Sequence, residues 1–505
     1  MTGSIPDRSC GVLLHVSSLP GNDLIGTLGE PAHRFVAWLA EAGVTVWQIL
    51  PLNRNGKDDS PYFSSSAFAG SPWLVDLEVL RDAGLLGAAT VAEVLHDHPH
   101  GARVPFDELY RRKQPVLREA AETFLADAGH PWRAAYDAFV ESEDWLADAC
   151  LFFVLRDHYG TPWFEWPTDL RRFDPTAVAT ARSDHAPAIE RAEVIQFFFE
   201  HQWRAVRTAA ADHGIVILGD LPIYVSPDSA DVWVNQAQFD LDDDGRMAVQ
   251  SGVPPDYFSD TGQLWGNPLY RWDAMADDGY AWWLARLRRC LDLTDIVRID
   301  HFRALAAYWE VAADASDAVD GRWVPGPGQA FMDAVRAEFP DFPFVAEDLG
   351  TLDDDVLELR DRNALPGMRI IQFGFDGTPD NPHLPHDYPE ASIVYTGTHD
   401  NAPIAAWWAN LNEADRAAVG SYYRHGAGAD ELRATWSFIE AAIASRGAVA
   451  IIPMQDLLVL DERARMNDPS SPVGNWGWRM PPDGAGPGLA RALRTLVERY
   501  GRTSS

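Results

Sequence analysis

Residues 295–303 read Asp-Ile-Val-Arg-Ile-Asp-His-Phe-Arg, an apolar, β-branched run that ends in a cluster of charge. Strands buried on both faces of a parallel sheet are near-continuously apolar, and in barrels of such strands the reactive groups gather where the strands end. Side chains alternate along a strand, which predicts Arg298 and Asp300 on one face and Ile299 and His301 on the other. A neighbouring guanidinium lowers a carboxyl's pKa, so the pair predicts an ionised, positioned Asp300. Such a carboxylate can attack a sugar carbon. It can equally be half of a structural ion pair inside a barrel.

Seven further runs of the same character flank this one. Gly11–Val16, Val44–Leu52 and Ile215–Val225 precede it, and Phe342–Leu349, Met368–Phe375, Ser392–Thr398 and Val449–Met454 follow. Between the first two, residues 31–42 have helical periodicity, with Gly43 where a C-terminal cap belongs. Strand, helix, strand at this spacing implies a parallel sheet. Eight such strands predict an α/β fold, a (β/α)8 TIM barrel occupying residues 1–505 as one catalytic domain.

Two stretches break the rhythm. Residues 53–190 open with a Gly-, Ser- and aromatic-rich segment and continue with helical patterning, which predicts a large, mostly helical insertion at the C-terminal face of the strands. A helix is expected over 193–213, with Gly214 as its cap. Residues 226–272 form a second, irregular insertion that should carry substrate-binding loops. Its prolines Pro254 and Pro255 and its Gly266 stiffen a loop on which Tyr257, Phe258 and Trp265 are expected to stand exposed, as a platform for a ligand. A small satellite core beneath the loop is the plainer alternative. The acidic turn at 240–246 resembles a calcium loop faintly but lacks the glutamate at the twelfth position, and reads as a solvated turn.

Composition narrows the function. Asp and Glu outnumber Lys and Arg by 75 to 41, a net charge of -34, and Lys57 and Lys113 are the only lysines. Such a surface repels phosphates, which argues against nucleic acid as a partner. It suits a salty cytoplasm, although a GC-rich genome also favours Arg, Ala and Asp; a melting temperature that rises with salt is the expected signature of the former. No apolar run is long enough to span a membrane, and the opening residues show no apolar signal segment. Cys10, Cys150 and Cys290 are scattered without metal or redox spacing, so a cytoplasmic location with free thiols is expected.

Polar residues gather at or just after the strand ends: Asp220, Asp300, Glu347 with Asp348, His399 with Asp400, and Gln455 with Asp456. A retaining attack on a glycoside needs one ionised carboxylate and one carboxylic acid. Asp300 beside Arg298 suits the first role. Glu347 suits the second, because the apolar approach PFVA and the adjacent Asp348 both raise its pKa. Alternation alone leaves open which of Glu347 and Asp348 faces inward. Asp400 would hold sugar hydroxyls or oppose positive charge at the anomeric carbon. These carboxylates, with His301 and His399, could instead bind a metal, but no ligand spacing supports it.

The motifs LLHVSSLPG, GDLPIYV, GVPPDYFSDTGQLWGNPLYRW, VRIDHFR, AEDLG, LPGMRIIQF, YTGTHDN and RMN with GNWGWR run through nearly the whole chain. In them the chain resembles glycoside hydrolase family 77 of the α-amylase clan, the 4-α-glucanotransferases. The resemblance implies Asp300 as nucleophile, Glu347 as acid/base and Asp400 as the residue that stabilises the distorted sugar. It implies that Arg298 supports the nucleophile, that His399 contacts the donor sugar, and that 254–265 is a mobile aromatic loop carrying Tyr257 and Phe258. Tyr62, Asp220, Trp265, Asn267 and Asn467 are implied as glucan contacts. The implied substrates are maltooligosaccharides and starch- or glycogen-type glucans, with no metal or organic cofactor. The implied reaction moves an α-1,4-glucan segment to the 4-hydroxyl of glucose or another glucan. A glucan hydrolase of the same clan, or a glucan-binding protein with little turnover, are the alternatives.

The chain departs from the family pattern at 53–58, at Phe63 after SPY, at Ala304 after RIDHFR, at Ala402-Pro403 after THDN and at Ser470. All of these flank substrate loops; none is one of the three carboxylates.

Overall fold

The structure, a computed structural model, describes residues 7–55, 59–95, 103–255, 259–350, 352–378, 380–423, 428–471 and 473–503. Eight strands make one parallel sheet: β1 Ser9–Leu13, β2 Val46–Gln48, β3 Val216–Leu221, β4 Ile296–Ile299, β5 Phe344–Ala346, β6 Gly367–Ile370, β7 Ser392–Tyr395 and β8 Val449–Pro453. Their spatial order is β6-β7-β8-β1-β2-β3-β4-β5, which is chain order around a ring. The two ends of that row meet where the Ala346 amide donates to the carbonyl of Pro366, just before β6, at 3.1 Å. The sheet is therefore a (β/α)8 barrel.

Every residue of β1, β2, β4, β5, β7 and β8 is buried. Helices cover the outer face and packed side chains fill the interior, which is why these strands read as unbroken apolar runs. The first covering helix, Glu30–Glu41, buries Phe35, Val36, Trp38 and Leu39 on one stripe. Gly43, at φ 71°, turns the chain out of it in a left-handed conformation that costs a glycine little.

Helices dominate the long stretch between β2 and β3. The helix expected from Glu193 begins earlier, at Ala186, and runs 27 residues to Asp212. Pro187 occupies its first turn, where a missing N–H is harmless, and extends the helix back beyond its apolar part.

The region read as irregular differs more. Val249–Val253 and Gln263–Leu264 are strands, and they join Ala307–Ala312 and Arg322–Pro325 in a four-stranded antiparallel sheet. Val249–Val253 and its partner Ala307–Ala312 are separated in sequence by the strand Gln263–Leu264, two α-helices and β4, so no local window displays the pairing. The acidic turn spends Asp242 on its own backbone, accepting from the amides of Asp244 at 2.8 Å and Arg246 at 2.9 Å. No helix among the described residues is long and apolar enough to cross a membrane.

Candidate active site

The register of three adjacent strands builds the centre. Asp220 of β3 lies opposite Arg298 of β4, and Ile299 of β4 lies opposite Ala346 of β5. One residue further on, the Asp300 amide donates to Leu221 O and the Glu347 amide to Ile299 O, each at 3.0 Å. Asp300 and Glu347 therefore emerge side by side from neighbouring strand ends.

Arg298 organises the floor. Its Nη1 donates to both oxygens of Asp220 at 2.7 Å and lies 2.9 Å from Oδ1 of Asp300. The Tyr62 hydroxyl donates to Asp220 Oδ2 at 2.6 Å. Burial, with Asp220 beside it, holds the Tyr62 phenol well above its ordinary pKa, so it remains a donor. Exposure separates roles that sequence leaves merged: the side chains of Asp220 and Asp348 are fully enclosed, whereas those of Asp300 and Asp400 keep 27% and 40% of their surface. Asp220 reaches the cleft only through Arg298 and Tyr62.

Arg298 pulls the Asp300 pKa down as expected, but it is not the only influence. Burial is the larger influence and pushes Asp300 well up; Arg298 pulls it down, and Asp220, Glu347 and Asp400 push it up again. Glu347 is also raised, first by burial, against the pull of Arg298. Two neighbouring carboxyls coupled in this way titrate as a pair.

Glu347 faces the cleft and Asp348 does not. Glu347 Oε2 accepts from the His301 amide at 2.7 Å and Oε1 from the Leu349 amide at 2.8 Å. Asp348 turns away to the Met368 amide, at 2.6 Å, and to Arg360 and Arg369. Alternation fails at His301, because the strand has ended. His301 adopts φ 45°, left-handed and uncommon outside glycine. That turn aims its amide at Glu347 and brings its ring to 4.6 Å from that of Trp265. Burial, then Arg303, lowers the His301 pKa to about 3, so the ring is neutral.

A second cluster forms beyond the end of β7. Asp400 Oδ1 accepts from Asn467 Nδ2 at 2.6 Å and lies 3.3 Å from His399 Nε2. Arg465 ties the same loop down, donating to the backbone carbonyls of Asp400 at 2.8 Å and Asn467 at 2.9 Å. The His399 ring stacks on that of Tyr62 at 5.2 Å and 13°. Burial lowers the His399 pKa, partly countered by Asp400.

The loop residues fall into two groups. Trp265 is partly buried, with Nε1 on Gln263 Oε1 at 3.1 Å. Asn267 is buried and donates to Val225 O at 2.8 Å. Tyr257 and Phe258 lie outside the described residues.

Sequence reasoning missed Trp476, whose ring packs 5.5 Å from Tyr62 and 6.0 Å from His399. It sits at φ 64° in the GNWGWR motif. A tryptophan set among glycines, as Trp265 precedes Gly266, was the available signal. Among the described residues no group of three or more His, Cys, Asp or Glu side chains is placed to hold a metal ion. Between Asp220 and Asp300, the place a cation would take is filled by the guanidinium of Arg298.

A family profile described as 4-alpha-glucanotransferase matches residues 14–484. The 4-alpha-glucanotransferase of Thermus thermophilus is 42% identical over 497 residues, covering 97% of this chain and 98% of its own. The chloroplast/amyloplast 4-alpha-glucanotransferase of Arabidopsis thaliana is 41% identical, covering 99% of this chain and 87% of its own. The amylomaltase of Streptococcus agalactiae, solved in complex with acarbose, superposes with a TM-score of 0.94 at 36% identity, over 98% of this chain and 100% of that one.

Proposed function

The chain belongs to glycoside hydrolase family 77, the 4-alpha-glucanotransferases, and from that membership we propose how its own residues move a glucan. It transfers an α-1,4-glucan segment to the 4-hydroxyl of glucose or of another glucan, with retention at the anomeric carbon. The observation that carries the residue roles is the grip of one guanidinium nitrogen on both Asp220 and Asp300, next to a Glu347 raised by burial.

Asp300 and Glu347 share a proton. Arg298 contacts Asp300 directly, which assigns the negative charge there and the proton to Glu347. An Asp300 oxygen attacks the anomeric carbon. The glycosidic C–O bond breaks as Glu347 passes its proton to the departing oxygen, leaving a glycosyl ester on Asp300. The 4-hydroxyl of the acceptor then gives its proton to Glu347 and attacks the same carbon, and the ester bond to Asp300 breaks. Two inversions give net retention. Asp400, held by Asn467 and His399 but exposed, binds sugar hydroxyls and opposes the positive charge of the transition state. Tyr62, His399 and Trp476 form the donor wall, an aromatic surface that suits a sugar's apolar face. Asp220 acts by positioning Arg298. Trp265, Asn267 and the loop bearing Tyr257 and Phe258 shape the acceptor side and exclude water.

The substrates we assign are maltooligosaccharides and starch- or glycogen-type glucans. We place the protein in the cytoplasm, consistent with its three free cysteines. The test is incubation with maltotriose alone. A ladder of longer maltodextrins plus glucose, with little net gain in reducing ends, is the expected result. Maltose and glucose rising together with reducing ends would mean a hydrolase, and no turnover would mean a binding protein.

A further inference from the structure

We propose that Trp323 is a stacking platform for acceptor glucans, lying beyond the first acceptor sugar and selecting for longer acceptors. The proposal deepens the transferase reading above and rests on it.

Trp323 lies on Arg322–Pro325, a strand at the edge of the antiparallel sheet, and keeps 41% of its surface exposed. An indole that open is usually mobile, but this one is fixed on two sides. The Arg303 guanidinium lies over its ring at 3.8 Å. Trp309, directly opposite in the strand register, meets it edge-on at 5.1 Å and 66°. Trp309 is itself tied down, its Nε1 donating to Ala318 O at 2.9 Å. A ring held in this way stacks on a ligand with little ordering cost.

Its place relative to the reacting groups follows from Arg303. That residue comes three after Asp300, in the 3-10 turn Phe302–Leu305 that continues directly from the nucleophile. Its side chain is 7% exposed and donates at 2.9 Å to Asp353, on the loop that leaves Glu347. Asp353 also caps the helix Asp354–Arg362 through the Val356 amide, at 3.2 Å. Arg303 thus spans the two loops that leave the strand ends of Asp300 and Glu347, and Trp323 rests on it.

This side of the cleft is the acceptor's. Asp400, His399, Tyr62 and Trp476 occupy the opposite wall, whereas Glu347 must face the oxygen that departs and the hydroxyl that replaces it. The same antiparallel sheet also leads into Trp265, whose ring meets His301, the residue whose amide orients Glu347. A chain running outward from the first acceptor sugar over this rim passes the sheet. The apolar face of a glucose unit suits an exposed indole whose other face lies on a guanidinium. Glucose as acceptor is too short to reach it.

The test compares two acceptors. Transfer from maltoheptaose to glucose and to maltotriose, each labelled at its reducing end, is measured with the full-length wild type, with Trp323→Ala and with Trp323→Phe, alongside their melting temperatures. In Trp323→Ala, kcat/KM for the maltotriose acceptor should fall about three- to tenfold, the worth of one aromatic stack. Transfer to glucose should not change, and Trp323→Phe should restore most of the loss. An equal fall for both acceptors would overturn the proposal, since a structural Arg303–Trp323 stack cannot tell them apart. Unchanged transfer to both would overturn it as well. Wild-type transfer to glucose reports on the transferase reading by itself, so failure of that reading is seen separately, as no labelled product from either acceptor.

Discussion

Replacing Arg298 by methionine removes the cation from between the enclosed Asp220 and the partly exposed Asp300 while nearly preserving side-chain volume. Only 4% of the Arg298 side chain is exposed, and a single nitrogen serves Asp220 at 2.7 Å and Asp300 at 2.9 Å. Breaking a buried pair by deleting one partner costs about 3–5 kcal/mol, because the remaining charge has no counterion and no water. Spread over the unfolding entropy of a 505-residue chain, that cost lowers Tm by about 3–5 °C. The catalytic loss is larger than the loss of stability. Without Arg298, the influences left on Asp300 from its neighbours all push its pKa up, so the nucleophile takes up a proton and transfer falls by at least about 100-fold. Arg298→Lys separates the two effects. It keeps the charge, but the ammonium is a shorter point donor that cannot hold both carboxylates in place. Its Tm should fall less than that of Arg298→Met, while its transfer rate falls comparably. Glucose release from maltotriose and differential scanning calorimetry read the two quantities on the same samples. Wild-type Tm together with more than about a tenth of wild-type transfer in Arg298→Met would refute the reasoning.

Asp220→Asn keeps the shape of a fully enclosed side chain and removes its charge; kcat should fall about tenfold or more with KM little changed, and a raised KM with intact kcat would mean that Asp220 binds sugar directly. The pH profile of kcat/KM should be a bell with both limbs above the ordinary carboxylate range, since burial raises both Asp300 and Glu347: activity is lost below the lower limb as Asp300 protonates and above the upper limb as Glu347 ionises. Asp456, buried at the end of β8 beside Thr396 and the Ile404 amide, is raised to about 6 by burial. The folded state therefore holds a proton that the unfolded chain releases near pH 4, and stability that is complete below that pH is lost as pH rises through 6, by about 3 kcal/mol. Asp456→Asn, which can keep the bond from the Ile404 amide and donate to the Thr396 hydroxyl in place of accepting from it, should flatten the dependence of Tm on pH between 4 and 7.

The barrel was legible because its strands are buried on both faces, so that each appears as a short apolar run wherever it lies in the chain. Strand ends were legible for the same reason: Asp300 after Ile299 and Glu347 after Ala346 mark where burial stops. Pairing across long separations was not legible. Val249–Val253 pairs with Ala307–Ala312 across more than fifty residues, so the part of the antiparallel sheet within 226–272 was read as irregular. Orientation past a strand end was equally hidden. Alternation could not choose between Glu347 and Asp348, and it misplaced His301, because the left-handed turn at His301 is set by contacts with Glu347 and Trp265 rather than by its neighbours in sequence. The influences on Asp300 were only partly legible, because the adjacent arginine is visible in sequence whereas burial and the three other carboxyls are not. The enclosure of Asp220 was hidden as well, because it depends on Tyr62, which lies 158 residues away.

The central claim is that Asp300 carries the glycosyl group while Glu347 manages the proton. It is tested most directly by trapping the ester. Glu347→Gln protein would be mixed with 4″-deoxy-α-maltotriosyl fluoride, whose leaving group needs no acid and whose missing 4-hydroxyl prevents it from acting as an acceptor, then quenched, digested and analysed by mass spectrometry. The account predicts a maltotriosyl-type adduct on the peptide containing Asp300, localised to that residue, with no adduct in an Asp300→Asn, Glu347→Gln double variant. An adduct on Asp400 or Asp220, or rapid turnover with no covalent species, would contradict it.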